Sequence, residues 1–150
     1  MKIQTSRFGE LEVDDSRIIT FPKGLLGFAK YTHFALIQPS EESAFFWLQS
    51  TQRPELAFVV VDPSIFLSDY RVQLKGEELG IIELTDPKLA QVLVVVNKVA
   101  GMLTANLQGP LVINSVRCLG KQLVLSDKKY TTRHPLMRLG VEAAPLAKSA

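Results

Sequence analysis

Cysteine is nearly absent from this chain: Cys118 stands alone among 150 residues, which excludes an internal disulfide and any multi-cysteine metal site. It follows a strand-like run and reads as a half-buried packing residue, because a catalytic thiolate needs an activating neighbour that the sequence does not supply. Histidine is scarce as well. His33 and His134 are far apart and neither has a carboxylate doublet beside it, which is weak material for a metal centre. No apolar run approaches the ~18 residues of a spanning helix, so no membrane span is expected. Gly24-Leu25-Leu26-Gly27 lacks the lysine and following helix of a phosphate-binding loop. The acids of the middle third fall in loops and turns, and Asp62-Pro63 and Asp86-Pro87 are helix-start signals. The sequence therefore gives no catalytic residue, no cofactor-binding residue and no metal ligand, and an enzyme is not expected.

What is present is a sequence of short strands. Apolar residues make up 47% and charged residues 21% of the chain, ordinary values for one globular domain with a real core. Ile3, Thr5, Leu11 and Val13 alternate across Phe8-Gly9 as a hairpin, and Arg17 to Phe21 follows the Asp14-Asp15-Ser16 turn. Phe34 to Gln38, Phe45 to Gln49 and Ala57 to Val61 read as three further strands. Val92 to Val96 is the most hydrophobic and is expected to be central, with both faces buried. Short helical turns are expected after Asp62 and Asp86, and an extended alternation over Tyr70 to Leu74. Leu111 to Cys118 and Gln122 to Leu125 read as a late hairpin around Gly120-Lys121. Nine to eleven short strands with one or two short helical turns imply an all-β fold, a small closed or nearly closed antiparallel β-barrel over residues 1–139. The Ala-rich residues 140–150 read as a flexible tail. Strand-like alternation starting at Met1 argues against a secretory leader, so a cytoplasmic protein is expected.

Net charge is only +2, but it is unevenly spread. Residues 41–90 hold nine acids against four bases, whereas residues 117–138 hold six bases against the single acid Asp127. Such clustering steers association with charged partners. The basic stretch, with Arg117, Lys121, Lys128, Lys129 and Arg133, raises an alternative: a direct RNA-binding barrel. It carries one aromatic, Tyr130, where stacking platforms interleave several. A third class, a small-ligand barrel, would need a deep pocket with polar groups converging near Asn106 and Asn114. The glycine-flanked loop Leu25-Leu26-Gly27-Phe28 either folds back over a barrel end or offers apolar groups to a partner, and Met102-Leu103 in a loop-like stretch shares that ambiguity.

Four blocks in order carry a family resemblance. They are Phe21-Pro22-Lys23-Gly24-Leu25-Leu26-Gly27-Phe28, Phe46 to Ser50, Phe58 to Pro63, and Thr104-Ala105-Asn106-Leu107 through Asn114, with Gly120-Lys121-Gln122 after the last. Together they resemble the signature of the FliW family of flagellar assembly factors, over roughly residues 1–139. Gly109 replaces a small alanine-like residue, and Leu26 stands where proline is common. The resemblance implies a monomeric barrel without cofactor or enzymatic activity that binds newly made flagellin. When flagellin is absent, such a protein sequesters the RNA-binding translational repressor CsrA and relieves repression of flagellin translation. Neither direct nucleic-acid binding nor membrane association is implied. On this reading Leu25, Leu26, Phe28, Met102 and Leu103 are candidates for docking an amphipathic flagellin helix. Glu77, Glu78 and Glu83 are candidates for the basic surface of the repressor.

Overall fold

A computed structural model of the chain describes residues 1–139; the tail expected at 140–150 lies outside the described residues. The elements run in order as β1 (Lys2–Thr5), β2 (Gly9–Glu12), β3 (Ile18–Thr20), β4 (His33–Ile37), β5 (Phe45–Ser50), β6 (Ala57–Val61), α1 (Gly76–Ile81), β7 (Gln91–Val99), β8 (Met102–Ala105), β9 (Leu111–Asn114), β10 (Leu119–Gln122) and β11 (His134–Arg138). Single 3₁₀ turns sit at Asp15–Arg17, Pro63–Ile65 and Pro87–Leu89. In each, an aspartate side chain (Asp14, Asp62 or Asp86) accepts from the backbone N–H two residues on, the capping chemistry expected of Asp62 and Asp86.

The strands β7-β6-β5-β4-β3-β10-β9 pair in that order, and β9 returns to β7, closing a seven-stranded barrel. Pairing is antiparallel except at the seam between β3 and β10, where Leu119 lies beside Thr20 in parallel register. β7 is the hub. One of its edges meets β6 through Val94 to Val96, while Gln91 to Leu93 pair with β9 and Val96 to Val99 with β8. β8 and β9 therefore run along the same side of β7 as one interrupted strand, broken at Asn106–Pro110. β8 leads outward to β11, and β9 closes the barrel. The β1–β2 hairpin lies apart as its own two-stranded sheet, seated on Ala35 by Ile3 and Val13.

The barrel interior is filled by Ile19, Phe21, Leu25, Phe34, Leu36, Leu48, Val60, Leu93, Leu111 and Ile113. Phe21 and Phe34 meet edge to face at 5.8 Å. Gly120 lies under Phe21, where a Cβ would come within 2.5 Å of the ring, so β10 reaches this position only because the residue has no side chain. A second apolar layer covers the outer face of the sheet, where Val61, Val94, Val96 and Ala105 pack beneath Phe66, Leu67, Tyr70, Tyr130 and Leu136. The expectation that Val92 to Val96 is buried on both faces holds for this reason: alternate side chains enter the two layers.

Several local expectations are corrected. Gly120-Lys121 lies within β10, and the hairpin turns at Ser115–Cys118 instead, because Asn114 Oδ1 accepts from the N–H groups of Val116 and Arg117 and ends β9 there. Tyr70 to Leu74 forms no strand; Val72 and Leu74 pack as cover over the outer layers. Met102-Leu103 belongs to β8 rather than to a loop. Two elements were not expected at all: α1, in the long crossover from β6 to β7, and β11.

Candidate functional site

The Leu25–Phe28 segment is a tight turn at the barrel end. Phe28 N–H donates to Leu25 O at 2.7 Å and Gly24 N–H to Phe21 O at 2.7 Å. Gly24 has φ +66°, and a Cβ there would lie 2.6 Å from the Ala29 backbone, so only glycine fits. The turn splits the two leucines. Leu25 is 3% exposed and belongs to the barrel core, while Leu26 is 60% exposed. Leu25 is therefore corrected from a partner-contact candidate to a core residue. Phe28 is half-buried with its ring edge to face on Phe58 at 5.4 Å, leaving Leu26 as the one apolar side chain of this turn turned fully to solvent.

The segment Thr104–Asn114 is tied internally. Asn106 Oδ1 accepts from Gln108 N–H and Gly109 N–H at 3.1 and 2.9 Å, and Asn106 N–H donates to Val95 O at 2.9 Å. Asn114 Nδ2 donates to the carbonyls of Ile82 and Glu83 at 2.9 and 3.1 Å. Gln122 links this segment to the leucine turn: its Oε1 accepts from Leu26 N–H at 2.8 Å and its Nε2 donates to Gly109 O at 2.9 Å. Asn114 spends both ends of its amide, and Asn106 its amide oxygen, on backbone, and the space that a ligand pocket would occupy is taken by the core. The small-ligand reading loses its site.

The charged candidates gather around α1. Glu78 reaches back to accept from Lys75 N–H at 2.8 Å, capping the helix. Glu77 is exposed and in no ion pair among the described residues. Glu83 follows the helix with φ 57°, held by the Asn114 bond to its carbonyl. Its carboxylate accepts from Arg117 Nε at 2.9 Å and meets Nη2 at 2.8 Å. Acidic and basic segments thus meet at this point. The basic residues are dispersed: Arg117 is engaged by Glu83, Lys121 lies on β10, and Lys129 sits 3.9 Å from Asp127. Tyr130 packs edge to face on the buried Tyr70 at 4.8 Å, so the one aromatic of this stretch is not a free stacking platform.

One apolar feature escaped the sequence. On the outer face of the sheet, Phe45, Val59, Val96 and Leu103 line an apolar cleft of about 180 Å³, with Asn97 and Lys98 at its rim. Leu103 lies directly opposite Lys98, and Val96 opposite Val59. Met102 is on the other face, beside Val99 and Arg138. The cleft was hidden because Phe45, Val59 and Val96 read as strand core and Leu103 as loop, and only closure of the barrel shows which face is left over. Elsewhere, His33 and His134 lie on separate strands, and no group of three or more His, Cys, Asp or Glu able to hold a metal occurs among the described residues. No described helix is long and apolar enough to cross a membrane.

The model of the FliW protein family matches residues 2–136. The chain is similar to the flagellar assembly factor FliW of Leptospira interrogans, at 40% identity over 140 residues that cover 91% of this chain and 93% of that protein. It is 44% identical over 137 residues to the flagellar assembly factor FliW of Geobacter sulfurreducens, covering 90% and 86%. A crystal structure of the flagellar assembly factor FliW superposes with a TM-score of 0.82 at 34% identity, over 91% of this chain and 97% of that one.

Proposed function

This chain belongs to the FliW family of flagellar assembly factors, and from that premise we propose that it is a cytoplasmic, non-enzymatic partner switch for flagellin and the repressor CsrA. Free flagellin occupies it and leaves CsrA to block flagellin translation; once flagellin is exported, it sequesters CsrA and translation resumes. The observation that carries this reading is where the polar groups of the signature segments go. Asn106, Asn114 and Gln122 hold loops to the barrel, and the interior is packed apolar. What is left to act is surface: exposed Leu26, the acids at α1, and the outer apolar cleft.

The acidic part of that surface suits CsrA. Glu77 lies in the first turn of α1 and Glu83 just beyond its end, and a basic RNA-binding face docked there would have its potential matched and phosphate repelled. Glu78 serves the helix cap, so the reading assigns it a supporting part.

A pull-down with the tagged chain from cells that make flagella is expected to recover flagellin and a small RNA-binding dimer, with less of the second when flagellin accumulates. Recovery of RNA without either protein would instead favour direct nucleic-acid binding. Reversal of Glu77 and Glu83 to lysine is expected to weaken CsrA binding about tenfold at low salt and by less as salt rises. Unchanged affinity would remove α1 from the site.

A further inference from the structure

At the outer cleft, among the described residues, the apolar layering stops short. Along β6, β7 and β8 the outer layer is covered by Phe66, Tyr70, Tyr130 and Leu136; Phe66 reaches the Phe45 ring at 6.2 Å, yet Phe45, Val59 and Leu103 remain only half-buried. The opening has little polar surface of its own. Its volume, about 180 Å³, is close to the ~150 Å³ that accepts a benzene ring in an apolar protein cavity, so it takes one aromatic or leucine-sized side chain.

The rim adds a sign. Lys98 is exposed, shares a face with Val96 two residues away, and sits across from Leu103. No acid lines the cleft, and Lys98 is in no ion pair among the described residues. The cleft opens on a sheet face rather than a sheet edge, so an added strand would not enter it; a helix laid across the face would. On a helix, a carboxylate three or four residues from an anchor lies about 5–6 Å away on the same side, within the reach of the lysine.

We propose that the cleft formed by Phe45, Val59, Val96 and Leu103 docks an amphipathic helix of a partner through one leucine or aromatic anchor, with an acidic residue one turn away paired to Lys98. The proposal rests on the partner-switch reading only for the source of that helix, which is flagellin. It replaces the buried Leu25 with a face that is open, and it keeps Leu103 from the candidates.

Calorimetric titration of the whole chain with two probes tests it: monomeric flagellin, and a synthetic helical peptide with leucines on one face and glutamates beside them. Both are expected to bind, Lys98→Glu to weaken each about tenfold, and Lys98→Arg to leave each within about twofold. Lys98 is exposed, so its variants keep the fold; Leu103→Glu, checked by circular dichroism, is expected to weaken binding further. Flagellin binding that neither Lys98→Glu nor Leu103→Glu alters would overturn the cleft as the site while the partner switch stands. Peptide binding with the expected sensitivity but no flagellin binding would support the cleft and remove flagellin as the source. Absence of binding by both probes overturns the proposal. So does a dimer of the free chain that Leu103→Glu dissociates, because the occupant would then be a second copy.

Discussion

Gln122 joins two turns that lie far apart in the chain, and its amide is fully used in doing so. Gln122→Ala leaves the Gly109 carbonyl without its partner, whereas exposed Leu26 N–H can turn to water; a loss of roughly 1–2 kcal/mol is expected. Gly24→Ala should cost more, roughly 3 kcal/mol, since it sets a methyl group against the Ala29 backbone and holds alanine in the left-handed region. Urea midpoints measure both, and a Gly24→Ala midpoint equal to the parent's would refute the tight turn. Tyr70 gives a pH signature. Burial, with Tyr130 adding to it, raises its phenol well above the usual value, and its hydroxyl donates to Leu107 O at 2.6 Å. The folded state keeps this proton after the unfolded chain has lost it. The contribution is therefore complete below the ordinary tyrosine pKa of about 10 and fades above it, by at most about 1.4 kcal/mol per pH unit. Tyr70→Phe should flatten that alkaline decline in thermal melts; an equal decline in both proteins would mean that Tyr70 ionises freely.

At the scale of elements, the crossover carrying α1 is fastened by two unlike contacts, and magnitudes decide between them. The Glu83–Arg117 pair is half exposed on both sides and is worth below about 1 kcal/mol. Asn114 is 3% exposed and bonds two carbonyls of the crossover and two N–H groups of the next turn, so Asn114→Ala should cost roughly 2–4 kcal/mol. Denaturant melts of Asn114→Ala and Arg117→Ala should differ in that order; equal losses would assign the fastening to the ion pair. The strands from Ile3 to Val61 and again from Gln91 were legible because an alternating first hairpin and then short β-branched and aromatic apolar runs are bounded by turn residues there. α1 was not, since Gly76-Glu77-Glu78-Leu79-Gly80-Ile81 is one short stretch with two glycines and no helical period. β11 was hidden by Pro135, tolerated because this strand lies at the sheet edge beside a bulge. Of the candidate site, adjacent Leu25 and Leu26 share a type but not a fate, and only the turn geometry separates them.

At the scale of the whole molecule, one side of β7 serves both β8 and β9, and the break at Asn106–Pro110 turns a sheet into a closed barrel with an outer flap. Closure fills the interior and leaves on the exterior an acidic region at α1 and an apolar cleft on β5 to β8, contributed by different elements. Two unlike partners can then be read by two unlike chemistries, and a switch requires that one partner's binding oppose the other's. Fluorescence anisotropy of labelled CsrA bound to this chain, followed while monomeric flagellin is titrated in, measures that opposition directly. CsrA is expected to be released as flagellin binds, to completion at excess flagellin. A stable complex of all three, with CsrA affinity unchanged by saturating flagellin, would contradict the account.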